Sequence, residues 1–143
     1  ALLADEDFAY HNLSPEEFAR FSQQTRPKWS GAAAKKLIEK CGLKPDIEGA
    51  VKLLGVYSQE VWGFGDPRYY EAKLETPTKG IFTNLVCRGW EKEREHSQKT
   101  QCDIACAAEY GGIISALSPN IKVTITKARP WGDDRCEYVL EMR

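Results

Sequence analysis

Four of the five cysteines, Cys87, Cys102, Cys106 and Cys136, lie in the second half of the chain, and Cys41 stands apart from them. Thiolates are both nucleophiles and soft metal ligands, so this clustering is the first place to look for chemistry. Cys102 and Cys106 are four residues apart, which on a helix puts them on one face, where they could form two corners of a metal site or a redox pair. With Cys87 at the end of a predicted strand and Cys136 near the start of another, the four make a candidate set for zinc or another transition metal such as iron. No C-x-x-C pair occurs, and free cysteine is often buried as a small hydrophobe, so packed thiols are the competing reading. An odd cysteine number and a chain long enough to bury a core without staples point to reduced thiols.

Two further residues could move protons. His96 closes the run Glu91-Lys92-Glu93-Arg94-Glu95-His96 and could pair with a thiol, although alternating charge reads first as a solvated face. Glu109 and Asp103 flank the helix cysteines. Either could act as a general base, but Asp103 near a helix start reads better as a cap or dipole partner, leaving Glu109 and His96 as the catalytic candidates. Trp62, Phe64 and Tyr69, with Tyr110 on the later helix, are the aromatic residues that could line an apolar ligand pocket or pack the core where two layers meet. Gly63-Phe64-Gly65 lacks the third glycine of a dinucleotide site and reads as a turn. P-loop, G-x-S-x-G and H-E-x-x-H patterns are absent from the sequence.

The elements that would position these groups follow from periodicity. Ser14-Pro15-Glu16-Glu17 is a capping box with Pro at the first helical position; Phe18 and Phe21 continue the helix and Pro27 is expected to end it. A second helix is expected from Ser30 to Cys41-Gly42, and a third from the Asp46 cap through Ile47, Ala50, Val51, Leu54, Tyr57 and Val61. Beyond residue 62 the pattern alternates: strands over 68–75 and 79–87 joined at Thr76-Pro77-Thr78, a small-residue helix over 102–117, and strands over 121–127 and 135–142. Helices followed by hairpins predict an α+β fold, an N-terminal helical layer (1–62) packed on an antiparallel sheet of two hairpins with one inserted helix (63–143), within a single domain over 1–143.

Composition narrows the partners. The chain has 143 residues with 20 Lys plus Arg against 21 Asp plus Glu, and no basic stripe, which argues against nucleic acid. No apolar run approaches the ~20 residues that span a bilayer, and the opening ALLADEDF is too short and acidic for a secretory signal, so no membrane partner is expected and the chain is placed in the cytoplasm. An exposed hairpin edge would allow a homodimer.

Three segments carry a family resemblance: Cys106-Ala-Ala-Glu-Tyr-Gly111, Asn120-Ile-Lys-Val-Thr-Ile-Thr, and Gly132-Asp133-Asp134-Arg135-Cys136-Glu-Tyr-Val-Leu. Together they resemble the C-terminal half of the 4-vinyl-reductase domain, which implies binding of a small apolar or aromatic ligand. Some sensor members hold zinc through a helix cysteine, a strand Glu and two more cysteines. Cys106 and Cys136 match two of those positions, whereas Ala128 and Ile125 stand at the others, so a metal here would need Cys87, Cys102 or His96 instead. Over more of its length, through Cys87, Cys102 or Cys106, and Gly132 to Cys136, the chain also resembles 2-amino-thiazoline-4-carboxylate hydrolases. That resemblance implies a thiolate- or metal-dependent hydrolase opening a cyclic C–N or C–S linkage. The expectation is therefore a small-molecule-binding domain of the 4-vinyl-reductase type, with the hydrolase as the alternative.

Overall fold

The computed structural model describes residues 8–9, 11–63, 66–87, 90–91 and 102–143. Three α-helices and a four-stranded antiparallel sheet organise these residues, the α+β architecture that the periodicity predicts. In chain order they are α1 (Pro15–Cys41), α2 (Ile47–Glu60), β1 (Tyr70–Thr76), β2 (Lys79–Asn84), α3 (Cys102–Leu117), β3 (Ile121–Lys127) and β4 (Cys136–Met142). One short 3-10 turn, Pro67–Tyr69, leads into β1, and another, Arg129–Trp131, links β3 to β4.

Local chemistry sets most of the boundaries. Ser14 accepts from the Glu17 amide at 3.2 Å while the Glu17 carboxylate accepts from the Ser14 amide at 3.1 Å, the reciprocal pair that starts α1. Gly42 ends it in the left-handed conformation, φ 61°, with its amide turned back onto the last carbonyls. Asp46 caps α2 by accepting from Gly49 N at 2.7 Å. The β1–β2 turn is closed by Thr76, whose hydroxyl accepts from Thr78 N at 3.3 Å.

Pro27 corrects the sequence reading. Instead of two helices broken there, α1 runs unbroken for 27 residues, with Pro27 inside it. Pro27 has no N–H to give the preceding turn, which leaves a gap in the ladder, but the helix is held on both sides of the gap by packing against α3. Ser30, expected near a helix start, is instead fully buried mid-helix and donates to the Glu109 carbonyl of α3 at 3.1 Å. The strands also shift slightly: β1 begins at Tyr70 and β2 ends at Asn84 rather than reaching Cys87.

The sheet order is β1-β2-β4-β3, so the two hairpins meet through β2 and β4 and leave β1 and β3 at the edges. Helices α2 and α3 lie on one sheet face, and α1 packs over α3, with a smaller contact to α2. Phe82 of β2, Tyr138 and Leu140 of β4 and Ile121 of β3 meet Leu53, Leu54 and Tyr57 of α2 and Tyr110, Ile113 and Ile114 of α3 in one core. On the other sheet face Ile81 and Val139 are direct cross-strand partners, with Lys73, Lys122 and Glu141 exposed around them.

Two glycines permit the close approaches. A Cβ at Gly80 would lie 2.7 Å from Val51 Cγ2 and 3.1 Å from Ile47 Cγ2, so only glycine lets α2 settle onto β2. A Cβ at Gly112 would lie 2.5 Å from Pro27 Cα and 2.6 Å from Ser30 Oγ, which makes α1 against α3 a backbone-to-backbone contact. The neighbouring Gly111 faces open space, where a Cβ meets nothing within 4 Å. Gly112→Ala should therefore lower stability by about 1–3 kcal/mol through overpacking, whereas Gly111→Ala should raise it by up to about 1 kcal/mol through helix propensity. Urea denaturation of the two variants checks this, and equal effects from both would contradict the packing account.

Candidate functional site

The turn between β3 and β4 creates the most chemically distinctive group. Ala128 donates its amide to Asp133 Oδ2 at 2.9 Å, and its carbonyl accepts from Trp131 N at 3.0 Å and Asp133 N at 3.3 Å. Gly132, at φ 100°, donates back to the Arg129 carbonyl at 3.0 Å. This compact turn brings Arg129 over Cys136, seven residues on. The Arg129 amide lies 3.5 Å from Cys136 Sγ and its Nη1 lies 3.6 Å from the same sulfur, so two N–H donors converge on one thiol.

Arg129 is only 7% exposed. Its Nη2 donates to the carbonyls of Asn84 at 3.2 Å and Leu85 at 2.9 Å, and among the described residues no carboxylate forms an ion pair with it. Among the described hydrogen-bond partners of this buried guanidinium, two carbonyl oxygens and a sulfur, the sulfur is the atom able to become anionic. Cys102 opens α3 beside the same turn: the next residue, Asp103, accepts from Trp131 Nε1 at 3.2 Å.

The cysteines differ in what surrounds them. Burial pushes the Cys102 thiol up to about 12, helped by Cys136, Cys87 and Asp103. Cys106 packs against the core, and burial pushes its thiol well above the ordinary range while Arg26 pulls it the other way. The structure thus gathers Cys87, Cys102, Cys106 and Cys136 at one end of the sheet. Yet among the described residues no three of His, Cys, Asp and Glu converge as a group able to hold a metal ion, which corrects the expected zinc or transition-metal set. Cys106 and Cys136 both pack against the core, and Cys136 Sγ is also reached by the Arg129 amide and guanidinium.

Glu109, expected as a proton carrier, is buried and fully engaged. Arg26 Nη1 donates to Oε2 at 2.9 Å, and Trp62 Nε1 at 3.2 Å and Tyr57 OH at 3.4 Å donate to Oε1. Burial and then the Glu109 charge raise the Tyr57 hydroxyl above its ordinary range. This constellation ties α1, α2 and α3 together at a buried anion. His96 lies outside the described residues.

The aromatic candidates are packed into one cluster. Trp62 meets Tyr57 edge-on at 4.9 Å and Tyr110 at 5.1 Å, and Tyr110 lies 3.9 Å from Tyr138 and 5.6 Å from Phe82. Tyr69 is half-buried ahead of β1, its carbonyl accepting from Leu85 N and Val86 N. Phe64 lies outside the described residues. Sequence reasoning missed Arg129 and Arg26. The Pro-Trp-Gly-Asp run did signal a tight turn, which could have flagged Arg129 against Cys136; nothing in sequence signals the pairing of Arg26 with Glu109.

The raised groups carry a pH dependence. Cys102 titrates at about 12 in the folded chain against 9.0 for an ordinary thiol, and Cys106, Tyr57, Tyr110 and Tyr138 are raised as well. Their contribution is complete below the unfolded values; above pH 9 the unfolded chain releases protons that the folded one keeps, so stability falls as pH rises. The denaturation midpoint should decline progressively from pH 9 towards pH 12, and a midpoint flat across that range would contradict the burial of these groups.

No family model and no curated protein matches the chain. A solved structure that is similar, the trafficking protein particle complex subunit 3 from Naegleria fowleri covalently bound to palmitic acid, covers 96% of this chain and 87% of its own at 11% identity and a TM-score of 0.50. This corrects the functional expectation drawn from the C-terminal motifs: a trafficking-complex subunit, not a 4-vinyl-reductase-type ligand domain or a thiazoline hydrolase, is what the fold resembles along nearly its whole length. The relative is one subunit of a multi-chain complex, and among the described residues no helix of this chain is long and apolar enough to cross a membrane. At 11% identity the likeness is one of fold.

Proposed function

We propose that this domain carries a long-chain acyl group as a thioester on Cys136. The observation that carries the reading is the convergence of the Arg129 amide and guanidinium on Cys136 Sγ, at 3.5 and 3.6 Å. In the reaction, Cys136 sulfur attacks the carbonyl carbon of an acyl thioester donor. A new C–S bond forms, the donor's C–S bond breaks, and the departing thiolate takes up the proton released by Cys136. Negative charge on the attacking sulfur is met by the guanidinium, which among the described residues forms no ion pair with a carboxylate.

Support also comes from contrast and from fold. Cys102 and Cys106 are both held protonated by burial, which leaves them poor nucleophiles at neutral pH. Cys136 packs against the aromatic and aliphatic core, so apolar side chains lie beside the thiol. The solved relative carries covalent palmitate on a fold that aligns with 96% of this chain. An acyl tail lying on apolar surface gains about 0.8 kcal/mol per buried CH₂, so long chains should be preferred over short ones.

Incubation with palmitoyl-coenzyme A should add one palmitoyl group, removable by neutral hydroxylamine and mapped to the Cys136 peptide. Acetyl-coenzyme A should modify the same thiol far less, and Cys136→Ser should abolish the adduct. An adduct on Cys41 or Cys87 alone, or equal modification by both donors, would overturn the reading.

A further inference from the structure

Strand β1 lies at an open edge of the sheet: among the described residues no further strand joins it on the side away from β2. Tyr70 stacks on Phe82 with ring centroids 5.7 Å apart and, with Ala72, packs against the core, so strand alternation turns Glu71 and Lys73 to the opposite sheet face. Both charged residues are exposed, and among the described residues neither forms an ion pair. On the helix side of the same strand Leu74 is left 43% exposed.

We infer that this edge pairs antiparallel with the β1 edge of a second copy of the chain, about a two-fold axis through Ala72, so that the two sheets become continuous. In that register Glu71 faces the partner's Lys73 and Lys73 faces the partner's Glu71, while Tyr70 and Leu74 face one another across the axis on the helix side. Charge on an edge strand usually repels other strands; at this spacing it is self-complementary. A two-fold contact closes on itself, so association stops at a dimer. The contact spans residues 70–74 and falls short of the ~1,600 Å² of a standard interface, so the dimer is weak and reversible. Cys136, on β4 two strands away, is not needed for it.

Other pairings fit less well. Moving the axis to Leu74 would put Lys73 opposite the partner's Glu75, but Glu75 is already bridged to Lys79 at 3.2 Å and lies where the β1–β2 register slips, between Leu74 and Thr76. The other open edge, β3, exposes Lys122, Thr124, Thr126 and Lys127, so two copies of it bring together only basic and neutral side chains. Joining β1 of one copy to β3 of the next would set Glu71 and Glu75 against Lys122, yet that contact is head-to-tail and grows without closing, which the size of the assembly reports.

Sedimentation of the full chain, kept reduced, from about 5 to about 500 µM should show a reversible monomer–dimer equilibrium with no larger species. Lys73→Glu, which puts an acid opposite the partner's Glu71, and Glu71→Lys should each weaken the dimer by about tenfold or more. The double variant Glu71→Lys/Lys73→Glu exchanges the two charges and restores both pairs with their signs reversed, so dimerisation should return to within about threefold of the native chain. Lys122→Glu, on the β3 edge, should leave the equilibrium unchanged.

These substitutions alter exposed side chains, and circular dichroism checks that each variant keeps the fold. Rescue by the double variant is specific to the axis through Ala72, because an axis at Leu74 would leave two acids facing each other. A chain that stays monomeric at the highest concentration, assemblies larger than the dimer, a double variant as weak as the single ones, or a dimer weakened by Lys122→Glu would each overturn the inference.

Discussion

The Glu109 carboxylate is the constraint around which the helices are arranged. A carboxylate brought into a core must be matched by donors or it unfolds the site, and here the donors come from separate elements: Arg26 of α1, Tyr57 of α2 and Trp62 just beyond it. Removing one partner of such a buried pair typically costs about 3–5 kcal/mol. That is a large share of a domain's net stability, so the anion fixes the relative placement of all three helices. Ser30 binding the Glu109 carbonyl, and Gly112 admitting the α1 backbone, extend the same contact along α3. The sheet is then covered by α2 and α3, with Gly80 letting α2 close on β2.

Much of this was legible in the chain, and what was not has a physical cause. Caps and stops are local, so Ser14 with Glu17, Gly42 and Asp46 announced themselves. The alternation in β2 and β4 and the small-residue run of α3 gave the hairpins and the inserted helix. Pro27 misled because its effect on α1 is decided by a helix that lies more than seventy positions further along the chain. Glu109 was visible as a chemically capable residue, yet its role depends on Arg26, 83 residues away, a pairing that no spacing rule reveals. The cysteines stand out as a group in the chain, but no spacing rule places Arg129 on Cys136. Motif likeness in the last third pointed to ligand-binding and hydrolase classes; the fold of the whole chain points elsewhere.

Arg129 mirrors Glu109 at the opposite end of the charge scale. Both are buried ions; Glu109 is satisfied entirely by protein donors, whereas Arg129 has carbonyl oxygens and one thiol and no carboxylate among the described residues. A closed constellation of the first kind builds a core. An open one of the second kind leaves a positive charge directed at a nucleophile, and the hydrogen bonds of the tight Ala128–Asp133 turn hold that geometry. The distinction separates the structural anchor of this molecule from its chemical site.

The proposed acylation of Cys136 depends on the Arg129 amide and guanidinium that reach its sulfur. The direct measurement is the rate at which Cys136 reacts with an acyl thioester in the native chain and in Arg129→Met, with the exposed Cys41 as internal reference. Loss of the guanidinium should slow Cys136 by about tenfold or more, the effect of about 1.4 kcal/mol, while Cys41 reacts as before. Equal Cys136 rates in the two proteins, both correctly folded, would contradict it.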